Sequence, residues 1–312
     1  MKKKLIFLFA VMFVFLSVMT VSAVDYPTRP VRVLVGYGPG GGNDLTSRLL
    51  MDEVSEILGQ PFRVENIPGA SGTVAATIAS KADPDGYEIF FTVTDTTAVQ
   101  PNLIDVDFSL DDFRGIAGFS YQPTALAVRA DSPWETLDDL LAEADTGKVI
   151  NRGHSGVGGV AHIFLEMFFP QTDLDSNDVP FDGGAVAISN LLGGHVDVVA
   201  GTPGAMVPYM ESEELRLLGI AADERSAHFP EVPTFKEYGF DLSVGVDFFM
   251  VAPADTPDEI VQTLEAAVLE AAKSDAFKAF VDERRQDHIL RSGDEILDKV
   301  KQDQALFGEM LE

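Results

Sequence analysis

The sequence predicts an α/β protein of two lobes with mostly parallel sheets, and three observations carry that prediction. Short β-branched runs alternate with helical apolar spacing, the signature of parallel strands joined by crossover helices. The unit strand, glycine-rich loop, helix occurs twice, opening at Val31 and again at Lys148. The chain crosses into a second α/β set near Gln122-Pro123 and returns near Val246-Asp247, with no long linker and no low-complexity segment.

The elements follow in order. Val31–Val35 is a strand that runs into Gly36-Tyr37-Gly38-Pro39-Gly40-Gly41-Gly42, with Asn43 placed to cap the next helix. Leu45, Leu49, Leu50, Val54, Ile57 and Leu58 give that helix its apolar spacing, and Gly59-Gln60-Pro61 stops it. Phe62–Glu65 is a second strand, Ser71 is placed to cap a small-residue helix to Ser80, and Asp83–Gly86 is a turn. Glu88–Val93 is a third strand that ends in the polar run Thr94–Thr97. The second set begins near Thr124–Val128, followed by a helix over Trp134–Ala144 and a strand over Lys148–Asn151. Gly153–Gly159 then repeats the glycine-rich loop before the apolar helix Val160–Phe169. Asp182-Gly183-Gly184 leads into a helix to Leu192, Val196–Ala200 ends at Gly201-Thr202-Pro203-Gly204, and Leu215–Ile220 is one more strand. Phe248–Ala252 is the returning strand; helices over Asp258–Lys273, Asp275–Arg285 and Asp294 onward close the chain.

Met1–Ala23 reads as an export signal: Lys2, Lys3 and Lys4, an apolar core Leu5–Val18, and the small-residue site Val21-Ser22-Ala23. The apolar run is short for an uncleaved anchor. Removing it takes three lysines and moves the net charge from −28 to −31. No basic stripe remains to hold phosphates, which excludes nucleic acid, and an anionic membrane surface is equally disfavoured. The acidity is spread along the chain and serves solubility. There is no cysteine, so thiol catalysis, thiolate metal sites and a lipidated N-terminal Cys are excluded.

Ligands of parallel α/β sheets sit beyond the carboxyl ends of the strands, where both glycine-rich loops, Thr94–Thr97, Asp182–Gly184 and Gly201–Gly204 lie. Amides at two helix N-termini can hold a carboxylate without a basic side chain, which reconciles an acidic protein with an anionic ligand. Two other readings fail. Gly36-x-Gly38-x-x-Gly41 with Glu65 matches a dinucleotide fingerprint, but Pro39 removes an amide and export removes the protein from nucleotide pools. Gly153-His154-Ser155-Gly156-Val157 misses the nucleophile elbow at its last position, so an exported α/β hydrolase is the weaker alternative. His154, His162 and Glu166 have no recognised metal spacing; His162 reads as a packed histidine, His195 and His228 lack a nameable partner, and Trp134 reads as a core or cap residue. No cofactor and no metal are expected.

Several motifs together resemble the tripartite tricarboxylate transporter solute receptors, the Bug-type extracytoplasmic binding proteins. They are Tyr26-Pro27-x-Arg29-Pro30, the Gly38–Asp44 run, Gly59-Gln60-Pro61, Glu65-Asn66-x-Pro68-Gly69-Ala70 and Pro84-Asp85-Gly86-Tyr87. Leu191–Asp197, Arg225-Ser226, Pro230-x-Val232-Pro233-Thr234 and Ala252-Pro253-x-x-Thr256-Pro257 complete the set, in order through nearly the whole mature chain. The resemblance implies a type II periplasmic-binding-protein fold with a two-strand hinge, one lobe of residues 24–122 plus 247–312 and another of 123–246. It implies a periplasmic, monomeric, non-catalytic receptor that closes on a small di- or tricarboxylate or related organic acid. Delivery would be to a membrane permease of one large and one small subunit; a receptor kept for sensing is the alternative.

The resemblance also implies that the ligand carboxylate is held by Tyr37–Asp44 and His154–Ala161. In that reading Gly40, Gly41 and Gly42 supply amides, and Asn43 and Asp44 fix the helix start. Ser155, Gly158 and Gly159 close the other side, while Tyr37, Thr94 and His154 shape specificity. Asp182 and Thr202 join from neighbouring strand ends. The chain departs from many relatives at Gly36-Tyr37-Gly38, at His154, at Val160-Ala161 and around Asp247-Phe248-Phe249, where an Arg is common. The missing Arg argues against a citrate-like ligand, and Asp247 is expected to face an amine or hydroxyl if it reaches the cleft.

Overall fold

A computed structural model describes residues 25–181 and 183–311; the export signal and Asp182 lie outside the described residues. The chain begins with β1 (Val31–Val35), α1 (Gly42–Leu58), β2 (Phe62–Asn66), α2 (Thr73–Ser80) and β3 (Glu88–Val93). A 17-residue strand β4 (Phe113–Arg129) leads to α3 (Leu137–Leu141), β5 (Ile150–His154), α4 (Val160–Phe168) and β6 (Ser176–Pro180). Then come α5 (Gly184–Leu192), β7 (Val198–Gly201), α6 (Pro203–Glu211) and β8 (Leu215–Ala221). The last elements are β9 (Gly245–Pro253), α7 (Asp258–Ala271), α8 (Asp275–Glu283), β10 (Arg291–Ser292) and α9 (Gly293–Leu311). Among the described residues no helix is long and apolar enough to cross a membrane.

The strand order is β2-β1-β3-β9-β4-β7-β5-β6, with β8 and β10 also on β4. Parallel ladders form both flanks, β1 with β2 and β3, and β5 with β6 and β7. Between them β4 and β9 run antiparallel to each other, Phe113 opposite Pro253 and Pro123 opposite Gly245. Beyond Pro123, β4 leaves β9 and pairs instead with β7 and β8. The two flanking sheets are therefore strung on one long strand, and the cleft between them opens where β4 and β9 cross.

The local reasons are legible in the residues. β1 and β3 are nearly all buried, as strands covered on both faces must be. Helix α1 ends at Gly59, whose φ of 68° suits a residue without a Cβ and whose N–H closes on Ser55 O. Its buried face is Leu50, Met51 and Val54; Leu45 and Ile57, expected in the core, face outward. The helix starts at Gly42 with Gly41 as its N-cap, so Asn43 lies within the first turn and does not cap it. Ser71 likewise does not cap α2: it sits at φ 52° in a tight turn, and Gly72 precedes the helix. Phe91, Phe119 and Phe277 pack the first flank, and Phe164, Phe168 and Phe235 the second. Each such ring is worth about 2–3 kcal/mol removed from water.

Candidate functional site

Where the two flanks face each other there is a cavity of about 290 Å³. The end of β3 contributes Asp95, the crossing strands contribute Thr124 and Val246, and the second flank supplies the rest. That rest is Ser155, Gly159, Val160 and Ala161 at the start of α4, Gly184 and Ile188 from α5, and Val199–Thr202, Ala205 and Met206. Polar groups are few and convergent on an apolar wall, as in small-molecule sites generally. Among the described lining residues Asp95 is the one charged side chain.

The second glycine-rich loop is held from behind. Its strand ends at His154, which is wholly buried, with Nδ1 2.8 Å from Gly156 O and Nε2 3.0 Å from Asp178 Oδ2. His162, one turn into α4, accepts the Gly158 N–H at Nδ1 over 3.2 Å, and the two imidazoles lie tilted by 35° with centroids 4.6 Å apart. With Nδ1 accepting, the neutral His162 ring carries its proton on Nε2, towards Glu166 (3.7 Å) and Asp178 (3.9 Å). Burial, then the neighbouring His154, pushes the His162 pKa below its usual value. Arg152 balances the carboxylates, 2.5 Å from Glu166.

His154, His162 and Asp178 bring ligand atoms within 4.8 Å of one another, a grouping that sequence spacing did not foresee. They are the described residues that could approach a metal. The Gly158 N–H occupies one His162 nitrogen and leaves a proton on the other, so the trio reads as hydrogen-bonded support for the loop. His154 thus acts from beneath the loop, without lining the cavity.

The first loop is placed differently. Gly38–Gly42 are exposed and none of Tyr37, Gly40, Gly41, Gly42, Asn43 or Asp44 lines the cavity. Asp44 is buried and fastens the loop: Oδ2 accepts the Gly40 N–H (2.8 Å), while Oδ1 meets Asn66 Nδ2 (2.8 Å) and Arg48 (2.9 Å). Burial opposes ionisation there, but Arg48, Gly40 and Asn66 together hold the carboxyl below its usual range. The Tyr37 hydroxyl is 3.0 Å from Thr96 Oγ1 and donates to Ser71 O. Gly36 is required by close approach, since a Cβ there would lie 2.5 Å from Gly72 Cα.

The remaining expected residues divide. Ser155, Gly159 and Thr202 line the cavity, and Gly158 is buried beside it at φ 75° against Leu103. Thr94 is buried and accepts the Asp247 N–H (2.9 Å). Asp247 corrects an expectation. Its carboxylate is buried on the other side of the crossing strands, 2.5 Å from Arg291 and 2.8 Å from Lys299, and is absent from the cavity wall. Alternation along β9 is the reason, because Val246 faces the cavity and its neighbour must face away. The rejected readings find no support either: Glu65 is spent on Arg32, and His154 turns to Asp178 and Gly156 without reaching Ser155.

A family profile described as "Tripartite tricarboxylate transporter family receptor" matches residues 46–309. The chain belongs to that family. The receptor is 36% identical over 258 residues to the UPF0065 protein in the gbd 5′ region of Cupriavidus necator, covering 80% of this chain and 76% of that one. It is 32% identical to BugT of Bordetella pertussis, covering 82% and 80%. Among solved structures, a TctC solute-binding protein from Polaromonas without ligand superposes with a TM-score of 0.86 at 30% identity, covering 92% of this receptor and 99% of that chain. MatC of Rhodopseudomonas palustris with bound malate gives 0.72 at 27% identity, covering 92% and 100%. Family and fold are those of two-lobed solute-binding receptors, not of enzymes.

Proposed function

We propose that this receptor is exported, captures a small organic acid in the cleft between two lobes, and hands it to the permease subunits of a tripartite tricarboxylate-type transporter. The observation that carries the reading is the cavity at the crossing of β4 and β9, walled by Ser155, Gly159, Val160 and Ala161 at a helix start. The first N–H groups of that helix have no partner within it; Asp95 takes the one on Val160 and the next, on Ala161, suits a carboxylate in a protein that spends no lysine or arginine on the site. Residues 24–122 with 247–312 form one lobe of this proposal and 123–246 the other, turning on β4 and β9.

On closure, the exposed amides of Gly41 and Gly42 come down on the far side of the ligand; the Gly40 N–H, expected to join them, is instead taken by Asp44, which holds the loop in shape. A ligand drives that closure only through contacts it makes to both lobes.

A thermal-shift screen of the mature protein against mono-, di- and tricarboxylates tests the reading. A ligand bound by the native state alone, at a hundred times its Kd, adds about 2.7 kcal/mol of stability, visible as several degrees in Tm. A clear shift with a sugar or nucleotide, and none with any carboxylate, would overturn it.

A further inference from the structure

The cavity holds a carboxylate of its own. Asp95 follows β3 directly, half-buried at the cavity floor, in a turn whose other residues Thr94, Thr96 and Thr97 are buried. That turn is pinned twice, by Thr96 Oγ1 donating to Ser71 O (2.8 Å) and by Thr94 accepting from the Asp247 N–H (2.9 Å). The position of Asp95 is therefore fixed by the scaffold.

Among the described residues no cationic side chain acts on Asp95. Burial pushes its pKa up, and the opposing contributions come from the backbone N–H groups of Val160 and of Asp95 itself. The contrast with Asp247, held by Arg291 and Lys299, is direct. A half-buried carboxylate held by backbone N–H groups and no cation keeps most of its charge uncompensated, which favours a cationic group arriving with the ligand.

A ligand with carboxylates at both ends would set one of them against Asp95. A ligand with a carboxylate at one end and a cationic nitrogen at the other meets complementary groups at both. We propose that Asp95 is an ammonium subsite, so that the acid captured by this receptor is a small zwitterion with its cationic nitrogen against Asp95. Its carboxylate lies towards Ser155 and the Ala161 N–H, since Asp95 itself takes the Val160 N–H. This rests on the carboxylate-capture reading and narrows it. It also gives closure its contacts, because Asp95 belongs to the first flank and the start of α4 to the second.

The test uses ligand pairs that differ only by the amino group: leucine and 4-methylpentanoate, glutamate and glutarate, 4-aminobutanoate and butanoate. Each is titrated calorimetrically into the mature wild-type protein, Asp95→Asn and Asp95→Glu, with thermal melts to establish that the variants fold. In the wild type, the ammonium member of at least one pair binds at least tenfold more tightly than its partner. In Asp95→Asn that preference falls below threefold through weaker binding of the ammonium member, while Asp95→Glu keeps part of it.

Equal or tighter binding of the plain acids by the wild type overturns the proposal. So does a preference that survives Asp95→Asn, or a plain acid whose binding takes up one proton, since Asp95 would then act as a carboxylic-acid donor. All three leave carboxylate capture standing. If no member of any pair binds and no other carboxylate shifts the melt, the parent reading fails and takes the subsite with it.

Discussion

The two glycine-rich loops are near copies in sequence and differ in what stands behind them. Gly38–Gly42 is an exposed arch fastened from within by one carboxylate, Asp44, whose two oxygens serve Gly40, Asn66 and Arg48. A Cβ added at Gly38, Gly40 or Gly42 would meet nothing within 4 Å. Gly153–Gly159 is packed instead: Gly153 lies against Val199 and Phe181, Gly158 against Leu103, and two adjoining histidines grip Gly156 and Gly158. A shared motif therefore specifies a shared backbone shape, while burial behind it decides which loop is packed into its flank and which stands exposed.

The largest expected effect breaks the first loop at its fastener. Asp44→Ala leaves three donors unanswered around a buried position and costs about 3 kcal/mol. In a protein of this size that is a fall in Tm of roughly 8 °C. Asp44→Asn, which keeps an acceptor for the Gly40 N–H, recovers part of it. A melt within about 2 °C of wild type for Asp44→Ala would mean that the arch is held by something else.

Much of this architecture is written in residue pattern, and the failures have particular causes. The strand, loop and helix order on each flank follows from β-branched runs and glycines. The first half of β4 was hidden because Gly115 and Gly118 interrupt it. The interruption is structural: a Cβ on Gly115 would stand 1.9 Å from Gly293 O, where α9 begins against the strand. β6 is a polar edge strand without an apolar alternation to announce it, and α6 carries Pro203 and Pro208. At the site, the polar run after β3 marks a strand end at the cavity, but the sequence points to its hydroxyl Thr94 where the structure puts its acid Asp95 on the wall. Nothing local separates those two, since which one turns into the cavity depends on the turn that follows the strand. Asp247 was misplaced for the same reason, because side-chain direction in β9 depends on a register that only the pairing with β4 reveals.

A gentler pair of substitutions sharpens the contrast. Gly158→Ala and Gly40→Ala both force a residue with a Cβ to a positive φ, 75° and 81°. That alone costs about 1 kcal/mol at either place. At Gly40 the space is open and nothing is added. At Gly158 the new Cβ would lie 2.0 Å from Leu103 Cδ1, so that side chain must be displaced as well. Urea unfolding should therefore place Gly158→Ala at about 2 kcal/mol of loss and Gly40→Ala at about 1 kcal/mol. Equal losses would mean that Leu103 moves aside freely and that the second loop is no better packed than the first.

The smallest effect separates the loops by pH. His162 is neutral in the fold, and burial with the neighbouring His154 holds its pKa below the usual 6.5. His154 from β5, Asp178 from β6, and Glu166 and Arg152 are the charged or titratable groups around it. The sign follows from proton counts. Below about pH 6.5 the unfolded chain takes a proton on this ring more readily than the folded chain, so its contribution is intact above that pH and shrinks as pH falls towards 5. His162→Gln keeps an acceptor near the Gly158 N–H and has nothing to titrate. The wild type should therefore lose one or two degrees more of Tm than His162→Gln between pH 7 and pH 5.5, roughly 0.5 kcal/mol in a protein of this size. The carboxylates common to both proteins cancel in that difference. Parallel melting curves across this range would detach the second loop from its histidines, and with them the distinction drawn between the two loops.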